Sequence, residues 1–287
     1  MLRQKILASA VTIAAASAQA ADPLAVKVYN SDEKSFHVTS VVVSGEKEVM
    51  VIDSGFTQAD AYRIAANVLD TGKTLKTILV SNADPDFYFG AELLKRLFPQ
   101  AEVVATPAVV EKIKAKLATK VSSWTPKMGP NAPVNPIVPT PLNKTTLTVD
   151  GKEVQIRGTT GLLAHRPYVW IPSIGTVAGA LGIFGNLHVW TADTQTQNER
   201  KAWVAELDEI AGLKPKVVVP GHMAAGTKLD ESAVTYTRDY LVRFETELAK
   251  AKSSAELIEA MKKAYPTAGL GIALDLGAKV NKGEMKW

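Results

Sequence analysis

The chain has 287 residues and no cysteine, so neither a disulfide framework nor a thiolate metal site is open to it. With 46% hydrophobic residues it can bury a sizeable core. Its formal charge is only +4, and no basic stripe with interleaved aromatics or nucleic-acid motif is present, so nucleic acid is not an expected partner.

Residues 1–20 have the form of a secretory signal. Arg3 and Lys5 precede an apolar run over 6–16, and Ala18-Gln19-Ala20 is a small-x-small cleavage site. The run is too short to span a bilayer, and no later segment reaches about 18 uninterrupted apolar residues. The expectation is a protein secreted to a bacterial periplasm, beginning near Ala21, with no membrane insertion after signal removal. Losing Arg3 and Lys5 leaves a charge of about +2, too small to say much about partners. Residues 21–287 fit a single domain, with a core over about 35–245 and C-terminal helices and a tail over 246–287.

In chain order, residues 35–43 read as a strand, Gly45-Glu46-Lys47 as a turn and residues 48–52 as a second strand, together a hairpin. Asp53-Ser54-Gly55 follows, and Thr57 caps a helix to about Leu69. A buried strand over 76–80 runs into a polar loop broken by Pro85, and residues 88–98 have helical spacing. Residues 103–105 read as a short strand, and Pro107 opens a helix to about Val121. Residues 124–142 are rich in Pro, Asn and Gly and read as a long loop, with Trp124 at its start. Residues 145–149 and 154–157 form a hairpin around Asp150-Gly151. Strands are expected at 168–171, 175–178 and 216–219, the last ending in Pro220-Gly221-His222. Helices are expected at 194–213, 230–251 and 254–264, and the Gly- and Ala-rich tail from Pro266 is left without an element. His37 falls on an early strand as a structural residue.

Polar groups crowd onto the loop after the strand at 76–80, where sites tend to sit on layered α/β folds. This stretch, Ser81-Asn82-Ala83-Asp84-Pro85-Asp86-Phe87 with Gly90 beyond it, resembles the Thr-His-x-His-x-Asp-His motif of the metallo-β-lactamase superfamily. In that resemblance Ser81 stands for the Thr, Asn82 and Asp84 for the first two His, Asp86 for the Asp and Phe87 for the last His. Asp53-Ser54-Gly55 matches the family's Asp-x-Gly turn, whose Asp supports the metal loop. Its Gly-His ligand pair falls on Gly161-Leu162, with His165 three residues later as the competing position. Its Gly-Asp falls on Gly179-Ala180. Pro220-Gly221-His222 is intact, and residues 185–190, including His188, resemble a segment that lines the pocket in one branch of the family.

The resemblance implies an αββα four-layer sandwich over residues 35–245. It also implies that most of the family's ligands are replaced, with Asp86 and His222 kept. Zinc needs three or four well-placed N, O or S donors, and Phe87, Leu162 and Ala180 supply none. No cofactor is therefore expected. The alternative is one divalent metal ion on Asp84, Asp86 and His222, with Asn82 assisting. A blander role for Asp84 and Asp86 is to cap the following helix. His222 paired with Asp84 or Asp86 is the candidate acid–base group without metal. Ser81 lacks a nucleophile elbow.

The leading expectation is a cleft lined by Asn82, Asp84, Asp86, Phe87, His188 and His222, covered by Trp124 and the loop after it. It would bind a small organic molecule, uncharged or aromatic. The competing expectation is a hydrolase or lyase of a small organic substrate, using one atypical metal or a His222–Asp dyad.

Overall fold

The computed structural model describes residues 22–287; the segment expected to be a signal lies outside the described residues. Among them, one sheet runs β1 (Ala25–Asn30), β2 (Thr39–Ser44), β3 (Glu48–Ile52), β4 (Thr74–Leu79), β5 (Glu102–Ala105) and β6 (Thr140–Pro141) in spatial order. The second runs β11 (Val217–Met223), β10 (Thr176–Gly185), β9 (Tyr168–Ile171), β8 (Lys152–Arg157) and β7 (Thr146–Val149).

Three apolar layers follow from the period-two alternation of the strands. Val41, Val43, Met50 and Ile52 point between the sheets, where they meet Val154, Val169, Ile171 and Val219. Val42, Val49 and Val51 point the other way, against Ile64 and Val68 of α1 (Gln58–Leu69), Leu94 of α3 (Ala91–Leu97) and Ile113 of α4 (Pro107–Met128). Beyond the second sheet, Val177 and Ile183 pack under Trp203 of α5 (Gln197–Gly212) and Phe244 of α6 (Ser232–Lys250). Three buried interfaces between four layers make this the expected αββα sandwich. Among the described residues no helix is long and apolar enough to cross a membrane.

Several local expectations are corrected. β1 is an addition to the expected elements, although Val26 and Val28 alternate; it pairs antiparallel with β2. His37 is not on a strand: it sits in a turn with φ 56, after a left-handed Phe36. The helix from Pro107 does not stop near Val121. It continues through Trp124 to Met128 with Pro126 inside its last turn, without the one backbone bond that Pro126 cannot donate. The Pro-rich remainder is pinned rather than loose. Ala59 donates to Asn131 Oδ1 at 2.9 Å, and Glu92 accepts from the backbone of Val134 and Asn135. β10 extends to Gly185, past the expected end, through two register shifts against β11. The tail folds into α8 (Gly271–Asn281), after α7 (Ser254–Ala264).

Candidate functional site

The site lies where β4, β10 and β11 end together. Beyond β4 the chain turns through residues 80–84 into the single-turn helix α2 (Pro85–Tyr88). Asp53, at φ 63, holds that turn: its carboxylate accepts from Ser81 N–H at 2.8 Å and from Ser81 Oγ at 2.7 Å. Burial pushes the Asp53 carboxyl up to about 7 against those two bonds. Ser81 is thereby committed to Asp53. Gly90 lets α2 and α3 lie against the chain after β3, because a Cβ there would overlap the Ser54 carbonyl oxygen. Asn82 Oδ1 accepts from Asp84 N–H at 2.9 Å, which closes the loop.

His222 is delivered by β11. Gly221 permits it, since a Cβ at that position would lie 2.8 Å from the Ala180 carbonyl oxygen of β10. The imidazole stacks on Phe184 with centroids 5.1 Å apart and meets Phe87 edge-on at 5.4 Å. His222 Nδ1 donates to the Phe36 carbonyl at 2.9 Å, because a carbonyl only accepts. Nε2 is left facing Asp86 Oδ2 at 3.5 Å. Burial pulls the His222 pKa down to about 4. Burial and the neighbouring Asp84 charge push the Asp86 carboxyl well above the usual range. Both shifts favour the neutral forms, a protonated Asp86 and an imidazole with its lone pair on Nε2.

The cleft above this pair encloses about 510 Å³, counting its open mouth. Its walls are mostly rings: Phe36, Phe56, Trp124, Phe184, Trp190 and Trp287. Polar atoms come from Asp84, Asp86, Lys120 and His222. Lys120, on α4, has no sequence signal linking it to the loop. Its Nζ lies 3.3 Å from Asp84 Oδ1. Burial alone would lower the lysine pKa, but the Asp84 and Asp193 carboxylates outweigh it and the net shift is upward. Asp193 completes the cluster. It accepts from Trp190 Nε1 at 2.7 Å and Trp287 Nε1 at 3.0 Å, and pairs with Lys116 at 3.4 Å. Burial raises Asp84, helped by the Asp193 charge and opposed by Lys120.

Of the residues singled out in the sequence, Asp84, Asp86, His222 and Trp124 line this cleft, and Asn82 lines an adjoining cavity. Phe87 does not line it. The ring is fully buried behind His222, and its backbone carbonyl accepts from Ser54. His188 does not reach it either: it is buried with Nδ1 3.0 Å from the Tyr240 hydroxyl, and its neighbour Trp190 lines the cleft instead. Leu162 points to solvent, 58% exposed, and lines neither cavity, whereas His165 lines the adjoining one. The Pro-rich stretch contributes nothing to the opening. Trp124 covers it from the last turns of α4, edge-on to Phe36 and Phe56.

The donors do not fit a metal ion. Among the described residues no group of three His, Asp or Glu side chains could hold one. Asp84 is turned to an ammonium, Asn82 Oδ1 is used by the backbone, and Phe87 and Ala180 have no donor atom.

Residues 35–178 match the model of the metallo-beta-lactamase superfamily. The chain belongs to that superfamily. Solved members share its fold at low identity. A metallo-beta-lactamase family protein from Thermus thermophilus is 19% identical, with TM-score 0.60 over 86% of this chain and 88% of that one. The metallo-beta-lactamase from Pontibacter korlensis is 18% identical, with TM-score 0.55 over 78% and 97%. A beta-lactamase domain protein from Burkholderia ambifaria is 14% identical, with TM-score 0.58 over 86% and 80%. No curated protein matches the chain. The loop after β4 and the end of β11, which carry the residues that resemble the family's motifs, both border the cleft, together with Lys120.

Proposed function

We propose that this chain is an exported, small-molecule-binding member of the metallo-β-lactamase superfamily in which dinuclear zinc chemistry has been lost. The observation that carries the reading is the Lys120 ammonium seated 3.3 Å from Asp84 beneath a cleft walled by aromatic rings. An internal cation satisfies the carboxylate that a metal would need, and the ring-lined space favours an aromatic or apolar body.

Two measurements test it. Elemental analysis of the purified protein, after growth with zinc, iron and manganese present, is expected to find no stoichiometric metal. About two equivalents of zinc would overturn the reading. Three of the five tryptophans, Trp124, Trp190 and Trp287, line the cleft. Titration with a naphthalene derivative is therefore expected to change the intrinsic fluorescence saturably, and Trp124→Ala to weaken that response.

One observation favours a second reading, a metal-free hydrolase or lyase. His222 Nε2 presents a lone pair toward Asp86 at the edge of the cleft, the placement that an acid–base pair needs. A panel of esters, lactones and β-lactams decides between the two readings. Turnover that His222→Ala abolishes would make the protein an enzyme; no turnover, with or without added divalent ions, leaves binding as the function.

A further inference from the structure

Beside the ring-lined cleft lies a second, narrower cavity, about 360 Å³ counting the open solvent at its mouth, and the two share Asp84, Leu181 and Trp190 as a common wall. Arg166 and Asn82 line it, only 4% and 2% exposed. Both carry unmatched donors: Arg166 Nε and Nη1 and Asn82 Nδ2 are buried without a hydrogen-bond partner. The Asn82 amide is oriented by the bond its Oδ1 accepts from Asp84 N–H, so the NH₂ is the free end. The guanidinium lies over the Trp203 ring, 4.1 Å from its centroid, which leaves the edge donors available.

Charge points the same way. The two carboxylates of this cavity each have a lysine: Asp193 has Lys116 at 3.4 Å, and Asp84 has Lys120 at 3.3 Å. Among the described residues no carboxylate lies within ion-pair distance of Arg166, or of Lys112 on the same wall. A buried guanidinium with idle donors is strongly unfavourable unless something completes it.

We propose that this cavity receives the carboxylate of an amphipathic organic acid. Arg166 and Asn82 hold the carboxylate, and the acid's aromatic or apolar body lies across Leu181 and Trp190 into the cleft. The proposal rests on the binding reading and narrows it to acids. The guanidinium offers charged N–H donors to a carboxylate, and the Asn82 amide adds another from a second side chain.

The test is calorimetric titration of the full chain with 2-naphthoate, its neutral analogue 2-naphthamide, and inorganic phosphate. The native protein is expected to bind naphthoate about tenfold to hundredfold tighter than naphthamide. Arg166→Met is expected to bind the two alike and to melt no lower than the native protein without ligand, because it keeps an apolar side chain over Trp203 and removes a buried charge that has only longer-range partners, Glu206 first among them. Asn82→Asp places a carboxylate where the ligand's would lie and is expected to remove naphthoate binding while naphthamide still binds. Equal binding of acid and amide by the native protein, unchanged in Arg166→Met, would overturn the subsite and leave the cleft reading standing. Phosphate binding as tightly as naphthoate, with the same dependence on Arg166, would make this a site for a free inorganic anion and overturn the organic-acid assignment. Binding of neither naphthalene compound would overturn both readings together. A lower melting temperature for Arg166→Met without ligand would show the guanidinium already satisfied by ordered water and overturn the subsite.

Discussion

Lys120→Met removes one charge while keeping most of the side chain's length. The ammonium lies 3.3 Å from Asp84 with its side chain only 14% exposed. At an effective dielectric constant of about 20, that separation corresponds to roughly 5 kcal/mol of attraction. The net effect is smaller, because desolvating the lysine offsets part of it and Asp84 can take up a proton. Removing one partner of a buried pair costs about 3–5 kcal/mol, and the partial exposure of Asp84 puts this case near the lower end. About 3 kcal/mol corresponds to roughly 6–12 °C in melting temperature for a domain of this size. The assay is urea denaturation and thermal melting at pH 7.5, repeated at pH 5. Protonation of Asp84, whose carboxyl is already shifted upward, is expected to recover part of the loss at the lower pH. Lys116→Met is the control. Its side chain is 36% exposed at 3.4 Å from Asp193, so it is expected to cost about 1 kcal/mol or less. If Lys120→Met stays within about 0.5 kcal/mol of the native protein, the ammonium is not compensating the loop carboxylates and the reasoning fails.

Three further outcomes follow from the same geometry. Asp53, held up to about 7, keeps its proton in the native state over a window where the unfolded chain has released it. Its contribution to stability is present at low pH and is lost as pH rises from about 4 to 7, by at most about 4 kcal/mol. His165, His188 and His222, pulled down to about 4, act in the opposite direction between about pH 4 and 6.5. The difference between native protein and Asp53→Asn therefore isolates Asp53, and a difference that does not vary with pH would show its carboxyl to be ordinary. Gly90→Ala is expected to cost at least about 2 kcal/mol in urea denaturation, because the new methyl meets the Ser54 backbone oxygen rather than a movable side chain. Phe87→Ala is expected to cost about 3–5 kcal/mol and to let the His222 imidazole titrate closer to its ordinary value by NMR, since the ring seals the buried side of that imidazole.

The layered fold was legible because its signals are local. Val41-Val42-Val43 and Val49-Met50-Val51-Ile52 alternate between two apolar interfaces, and Thr57 with Asp60 caps α1 through a box readable within four residues. The loop of the site was legible for the same reason. What sequence could not supply was its counterpart. Lys120 and Asp84 are 36 positions apart, and Asp193 gathers indole donors from Trp190 and Trp287. Nothing in the periodicity of α4 marks Lys120 apart from the lysines around it. Phe87 and His188 were misplaced for a different reason. A motif gives the position of a residue but not which way its side chain turns. The ring at Phe87 turned behind His222 into the core, and His188 turned to Tyr240.

The replacements at this site support one another. With Phe87 and Ala180 in place of donors, Asp84 and Asp86 would be left as two buried carboxylates in mutual repulsion. Lys120 answers one of them, and burial with the Asp84 charge favours the neutral form of the other beside His222. On the proposed reading the loop needs no divalent ion: a metal entering would have to displace an ammonium and bind through two side chains, which is unfavourable. The aromatic walls agree with the proposed reading, since a site without an ion and its water can be lined by rings up to the edge of the Asp86–His222 pair. Arg166 and Lys112 have no carboxylate within ion-pair distance among the described residues, and both line the cavity that adjoins the ring-walled cleft.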